Sequence, residues 1–226
     1  MKKTLFALLP LIALIFGTTS CNNNNEPSGQ LYFEIATLVR ASADQTIFDI
    51  PNNDNITSTR LTFTNIGIDT TLYKPGTRWI VGYTIDTEPS YGNITGTLYS
   101  LGYVYNGVLT EGTSQSTGAW KTQAQNVLSI WRSGKWLNFI TQSTYVDYNS
   151  LPKTFSLVVD SETLDNAYPD VYLLYEASEN IDATTSNFYS TFDIESVWDR
   201  PNVKGINLTY INFNGQQQLT LNKTDF

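Results

Sequence analysis

From Leu31 to Leu221 the apolar residues of this chain recur at every second position in short runs, and no stretch sustains a 3.6-residue period. Arg60-Leu61-Thr62-Phe63-Thr64-Asn65-Ile66 alternates strictly between polar and apolar. A side chain that changes face at each residue marks a strand with one face buried. Trp79–Ile85 is rich in aromatic and β-branched residues, which pack well on a pleated surface. The same reading places strands at 31–39, 47–50 and 94–105, and again at 154–160, 171–175, 188–194, 206–213 and 219–221. Gln123–Trp131 is the one segment that could turn as helix, and its β-branched and aromatic content favours strand. Strands every 8–20 residues with polar turns between them predict an all-β chain, as sandwich or barrel.

The clearest hairpin signal is Val127–Trp131 and Trp136–Ile140 around Arg132-Ser133-Gly134-Lys135. Ser-Gly between two alternating apolar runs predicts a short loop. It is expected to be central to its domain, with Leu128, Ile130, Leu137 and Phe139 on apolar faces and Ser133-Gly134 exposed. Thr110–Gly118 contains no apolar side chain and is the expected domain boundary. Residues 31–112 and 113–226 then form two β-domains.

The N-terminus reads differently. Met1-Lys2-Lys3 precedes an apolar run from Leu5 to Phe16, then Gly17-Thr18-Thr19-Ser20-Cys21. This has the form of a signal peptide over 1–20 that ends at a lipid-accepting Cys21, although Thr18 stands where such signals usually carry leucine. Residues 21–30, with Pro27 and Gly29 among polar neighbours, are expected to be a flexible tether. The expected location is the outer membrane of a Gram-negative bacterium, with the membrane reached through lipid on Cys21.

Composition closes several routes. The chain has no histidine, and Cys21 is its only cysteine. A Ser-His-Asp triad, a histidine-ligated zinc site and a disulfide are therefore excluded. Lys and Arg number 13 against 21 acids; without Lys2 and Lys3 the balance is 11 − 21 = −10. That charge argues against nucleic acid as a partner. Between 31 and 112 the only cations are Arg40, Arg60, Lys74 and Arg78.

The layout resembles the NigD-like family of envelope lipoproteins. The matching pieces are Ser20-Cys21, the strand Pro75–Ile85, the hairpin Trp131–Phe139 and the late strand Ser190–Ile194. The resemblance implies an N-terminal OB-like barrel followed by a C-terminal β-sandwich, and an accessory role without an established biochemical activity. It carries no functional residues over. Family members often follow the lipidated cysteine with acids; here Asn22–Asn25 stand there, followed by Glu26.

Two residue classes could carry function. Carboxylates gather at Asp160, Glu162, Asp165 and Asp170, at Glu176, Glu179 and Asp182, and at Asp193, Glu195 and Asp199. A glycosidase needs two of them about 5–9.5 Å apart across a sugar, but turn and cap positions account for most acids in such a chain. Five Trp, fourteen Tyr and eleven Phe offer the second class. Trp120, Trp131 and Trp136 are the candidate ligand-stacking residues, whereas Trp79 and Tyr83 read as core. No catalytic residue, metal site or cofactor is expected. The leading expectation is a non-catalytic interaction module whose partner is another envelope protein. The alternative is a glycan-binding lipoprotein of a polysaccharide-uptake system, and the third reading is a carboxylate-based hydrolase.

Overall fold

The computed structural model describes residues 30–225 apart from 52–56, 65, 67, 70, 88–89, 91, 146–153 and 177–183. Cys21, the segment before it and the tether to Gly29 lie outside the described residues, as does the Asn52–Asn55 loop. Among the described residues no helix is long and apolar enough to cross a membrane.

The first five strands are β1 (Leu31–Ala41), β2 (Gln45–Pro51), β3 (Ser58–Thr64), β4 (Arg78–Ile85) and β5 (Asn93–Tyr103). They close in the order β1-β2-β3-β5-β4, with β4 returning to β1. This is the strand order of an OB-like barrel, as expected. Alternation sets its interior: Leu61 and Phe63 point inward from β3 while Arg60 faces out and bonds Asp49 at 2.9 Å. Phe48 and Tyr83 pack against Phe63 edge to face, each with ring centroids 6.1 Å apart. Tyr83 is thus core, as expected, and Trp79 packs on Tyr73 at 4.6 Å. The Pro75-Gly76 turn joins the ladder, because Gly76 N–H donates to the Leu38 carbonyl and Leu38 N–H to that of Thr77, both at 2.8 Å. Gly76 has φ +87°, a conformation that favours glycine.

The remaining strands are β6 (Tyr105–Gly112), β7 (Asn126–Ser133), β8 (Trp136–Tyr145), β9 (Thr154–Asp160), β10 (Asp170–Glu176), β11 (Thr184–Asp193), β12 (Gly205–Asn212) and β13 (Gly215–Asn222). They form one mixed sheet in the order β13-β12-β10-β9-β6-β11-β8-β7. A single core gathers Leu137 and Phe139 of β8, Leu157 of β9, Leu173 of β10, Phe192 of β11, Leu208 of β12 and Leu221 of β13. The expected sandwich is therefore one continuous sheet curled over its own core. A short helix not foreseen in the sequence, α1 (Glu195–Trp198), adds Val197 and Trp198 to it.

Several expectations are corrected. The sheets change at Val104 and not within 110–118. β6 pairs in parallel with β9 and β11, so residues 105–112 belong to the second sheet. Tyr103-Val104-Tyr105 carries no turn residue, so the sequence reads 94–105 as one strand. The hairpin β7–β8 is not central, since β7 is the sheet's outer strand. Within it the register shifts between Val127 and Ser129, and the extra residue, Leu128, turns outward and is 49% exposed. The two-residue loop Gly134-Lys135 is as short as expected, with Gly134 at φ +59°. Ser133, however, is partly buried and its hydroxyl is engaged.

Candidate functional site

The barrel rests on the outer face of β8 and β11 through Arg78, the first residue of β4. This side chain is 1% exposed. Its Nη1 donates to Asn138 Oδ1 at 2.7 Å, to Ser133 Oγ at 3.0 Å and to Thr191 Oγ1 at 3.4 Å. Its Nη2 donates to the Ile35 carbonyl at 2.7 Å, back in the barrel. The guanidinium lies 5.6 Å from the centre of the Trp136 ring, within cation–π reach. Burial pushes its pKa down to about 9, so it is a full cation at neutral pH. Each of these hydrogen-bond partners is neutral. The planar fork of an arginine suits such a divided set of acceptors.

Asn106 completes the joint. Its Oδ1 accepts from Arg78 N–H at 2.7 Å and its Nδ2 donates to the Arg78 carbonyl at 3.1 Å. An amide side chain thus takes the place of a ladder partner where the chain leaves the barrel. Asn138 is held in turn, accepting from Thr191 Oγ1 at 3.0 Å and donating to Ser133 Oγ at 2.9 Å. None of these residues was a candidate site residue in the sequence, where Arg78 stood only as a cation and Ser133 only as a loop residue. The available signal was a polar residue interrupting an apolar strand: Asn138 between Leu137 and Phe139, and Arg78 before Trp79-Ile80-Val81.

The three candidate tryptophans do not converge. Trp131 and Trp136 sit opposite Asn138 and Ser133 in the hairpin register. The Trp136 ring is occupied by cations, with Arg78 at 5.6 Å and Lys135 Nζ at 5.1 Å. Trp120 is elsewhere, on the strap that runs from the end of β6 across the sheet to β7. Its ring lies flat on Tyr172, with centroids 4.1 Å apart and planes within 4°. Tyr172 points away from the core, as its neighbours Val171 and Leu173 point in. All three tryptophans are partly buried.

The strap holds Trp120 at a conformational cost. Gly118, Ala119 and Trp120 have φ of +63°, +60° and +60°. Non-glycine residues in this region cost of order 1–3 kcal/mol each, and such strain gathers at functional sites. Beyond Trp120 the strap is stitched between diverging strands. Gln123 N–H donates to the Tyr175 carbonyl of β10 at 2.8 Å, and Gln125 N–H to the Ile211 carbonyl of β12 at 3.0 Å. Asp170 and Asp160, together with burial, raise the pKa of the Tyr172 hydroxyl, burial being the larger cause. The aromatic pair is therefore rimmed by negative charge.

Several of the described carboxylates have local tasks. Asp160 Oδ1 accepts from Glu162 N–H at 3.1 Å, capping the 3-10 turn Ser161–Thr163. Asp170 accepts from Asn207 Nδ2 at 3.2 Å. Asp193 accepts from Glu195 N–H at 3.0 Å and pairs with Lys135 at 2.6 Å. Glu179 and Asp182 lie outside the described residues. Among the described residues no three acids gather closely enough to hold a metal ion.

A closed five-stranded OB-like barrel followed by a curled eight-stranded sheet defines a class of two-module β-proteins. Solved structures share that fold. A NigD-like immunity protein from Bacteroides caccae ATCC 43185 matches with a TM-score of 0.53 at 19% identity, over 89% of this chain and 95% of that one. A DUF1344 protein of unknown function from Bacteroides vulgatus ATCC 8482 matches with a TM-score of 0.66 at 15% identity, over 85% and 90%. A lipoprotein candidate from Bacteroides fragilis NCTC 9343 matches with a TM-score of 0.57 at 13% identity, over 85% and 96%. The resemblance to NigD-like proteins thus holds at the level of the fold. No protein-family profile matches the chain, and no curated protein matches it.

Proposed function

We propose that this is an envelope protein, held at the outer membrane through lipid on Cys21, that acts by binding a macromolecular partner and turns over no substrate. The observation that carries the binding half is the Trp120–Tyr172 pair. A backbone strained at two successive non-glycine residues holds one aromatic ring flat on another at the protein's outer face. Aromatic side chains dominate recognition surfaces because they bury large area with few torsions to freeze. Nucleic acid fits poorly, since Arg60 is paired with Asp49 and Arg78 is buried. The partner in this reading is another envelope protein. The folds shared with a NigD-like immunity protein and a lipoprotein candidate accord with an accessory role.

A glycan ligand is the second reading. An aromatic pair with Asp160 and Asp170 beside it offers both a stacking surface and acceptors for sugar hydroxyls. The test is a cross-linking pull-down of the lipidated protein from its native envelope, run beside a glycan array, for wild type and Trp120→Ala. Loss of a protein partner in the variant supports the first reading, and loss of array signal the second. Polysaccharide turnover that disappears with one Asp or Glu would instead favour the hydrolase. A companion fractionation tests the anchor: Cys21→Ala should leave the membrane or accumulate as precursor. Membrane retention equal to wild type, with cleavage still before residue 21, would refute lipidation.

A further inference from the structure

The eight-stranded sheet ends at β13, and among the described residues no strand lies against its outer side. Asn212 and Gly215 face each other across a two-residue turn. The hydrogen-bonded pairs of β12 and β13 therefore fall at 212/215, 210/217, 208/219 and 206/221. The alternate residues of β13, including Gln216, Gln218 and Thr220, turn their backbone N–H and C=O outward. The far side of β12 agrees with this register: the Ile211 carbonyl accepts from Gln125, and Asn207 N–H donates to the Pro169 carbonyl, both at 3.0 Å. On β13, Gln217 Nε2 donates to the Gln216 carbonyl at 3.1 Å. The outward backbone groups of Gln218 and Thr220 have no partner among the described residues.

Open edges are ordinarily blunted by charge, proline or a bulge. The opposite edge, β7, has its bulge at Leu128 and carries Arg132. β13 has none of these. Its register with β12 runs without a shift, and Gly-Gln-Gln-Gln-Leu-Thr-Leu-Asn contains neither charge nor proline, in a chain of net charge −8. Leu219 lies opposite the core residue Leu208 and on the core side of the sheet, yet it is 37% exposed because the sheet stops there.

We infer that β13 pairs antiparallel with β13 of a second copy about a two-fold axis through Leu219, which makes one sheet continuous across two molecules. A two-fold contact sets each residue against its symmetry mate. Here Gln218 meets Thr220, Gln216 meets Asn222, and Leu219 meets itself, so no like charges oppose. Outward groups face outward groups, and the free N–H and C=O of Gln218 and Thr220 bond across the axis. Leu219 falls at a non-hydrogen-bonded position, where Cα atoms approach to about 4.5 Å and side chains are closest. Each Leu219 covers the other and extends the core past the edge. A second copy is the occupant because the strand is complementary to itself and because nothing on it repels its own image.

The test uses the full chain expressed in its envelope. Leu219→Cys sets two thiols within disulfide range across the axis, whereas Gln216→Cys faces Asn222. Mild oxidation should give a reducible species of twice the chain mass for Leu219→Cys, and not for wild type or Gln216→Cys. Cross-linking of Leu219→Cys no greater than that of Gln216→Cys would overturn the pairing. In detergent, sedimentation should show a dimeric wild type and a monomeric Gln218→Lys/Thr220→Lys variant that still unfolds cooperatively. A monomeric wild type, or a double-lysine variant that remains dimeric, would also overturn it. This inference is independent of the partner recognised at Trp120.

Discussion

Replacing Arg78 with methionine tests whether one buried cation joins the two modules. Methionine roughly keeps the stem's volume and removes the fork. Two short bonds disappear, to Asn138 Oδ1 and to the Ile35 carbonyl, each 2.7 Å. Bonds from a charged donor contribute about 1.5–3 kcal/mol each. Against this stands the relief of no longer burying a charge that has no acid opposite it, which can offset several kcal/mol. Asn138 keeps a donor in Thr191, at 3.0 Å, so the larger loss falls on the Ile35 carbonyl. At the low end of the bond range the two losses together cost about 3 kcal/mol before that relief is subtracted. Arg78→Ala should cost more, because it adds a cavity. The assay is urea unfolding of the protein without its first 21 residues, followed by tryptophan fluorescence. Because Arg78 ties β1 to β8 and β11, the methionine variant should also broaden or split the transition as the barrel unfolds ahead of the sheet. Unfolding within about 0.5 kcal/mol of wild type, in one equally sharp transition, would show that the charge's burial cancels its bonds.

Glu34 is an exposed residue, yet desolvation by the atoms packed around its carboxyl raises its pKa, and its charge in turn helps to raise that of Tyr83. A carboxyl with a raised folded pKa stabilises below its unfolded value near 4.5 and loses that contribution as pH rises through the folded value. Glu34→Gln should therefore melt higher than wild type at pH 7, with the difference closing at about pH 3, where both side chains are neutral. A difference that persists unchanged at low pH would mean that packing, not ionisation, is responsible. Leu137 is fully buried, so Leu137→Ala should cost about 2–5 kcal/mol in urea unfolding. Ser133→Ala removes an acceptor from Arg78 and should cost about 1 kcal/mol. Leu128→Asp, at the outward residue of the bulge, should change stability by no more than about 0.5 kcal/mol; a loss comparable to that of Leu137→Ala would place Leu128 in a core.

Strand identity was legible because it is local. Leu61 and Phe63, or Leu137 and Phe139, alternate with polar residues whatever their partners, and each pair proved to be buried. The hairpin loop was legible for the same reason, since Gly134 meets the need for positive φ within the turn itself. What the sequence left open depends on contacts between distant residues. Nothing in Tyr105–Gly112 says that it pairs in parallel with β9 and β11, because parallel partners are joined by long connections and leave no turn signature. Leu128 reads as an inward residue until the bulge, a property of two strands together, turns it out. Trp120 could be picked out as an unusual tryptophan in a polar strap, but not as the partner of Tyr172, which only the curl of the sheet brings beneath it. Arg78 reads as an ordinary strand-end charge; its burial follows from the barrel settling on β8 and β11, where Asn138, Ser133 and Thr191 supply the acceptors. The sequence by itself determined which residues are extended and which face each tends to bury, since both follow from the two-residue repeat of the backbone. The tertiary structure alone decided which strands pair and which polar side chains lie between the modules, because those are set by hydrogen bonds and packing between segments far apart along the chain.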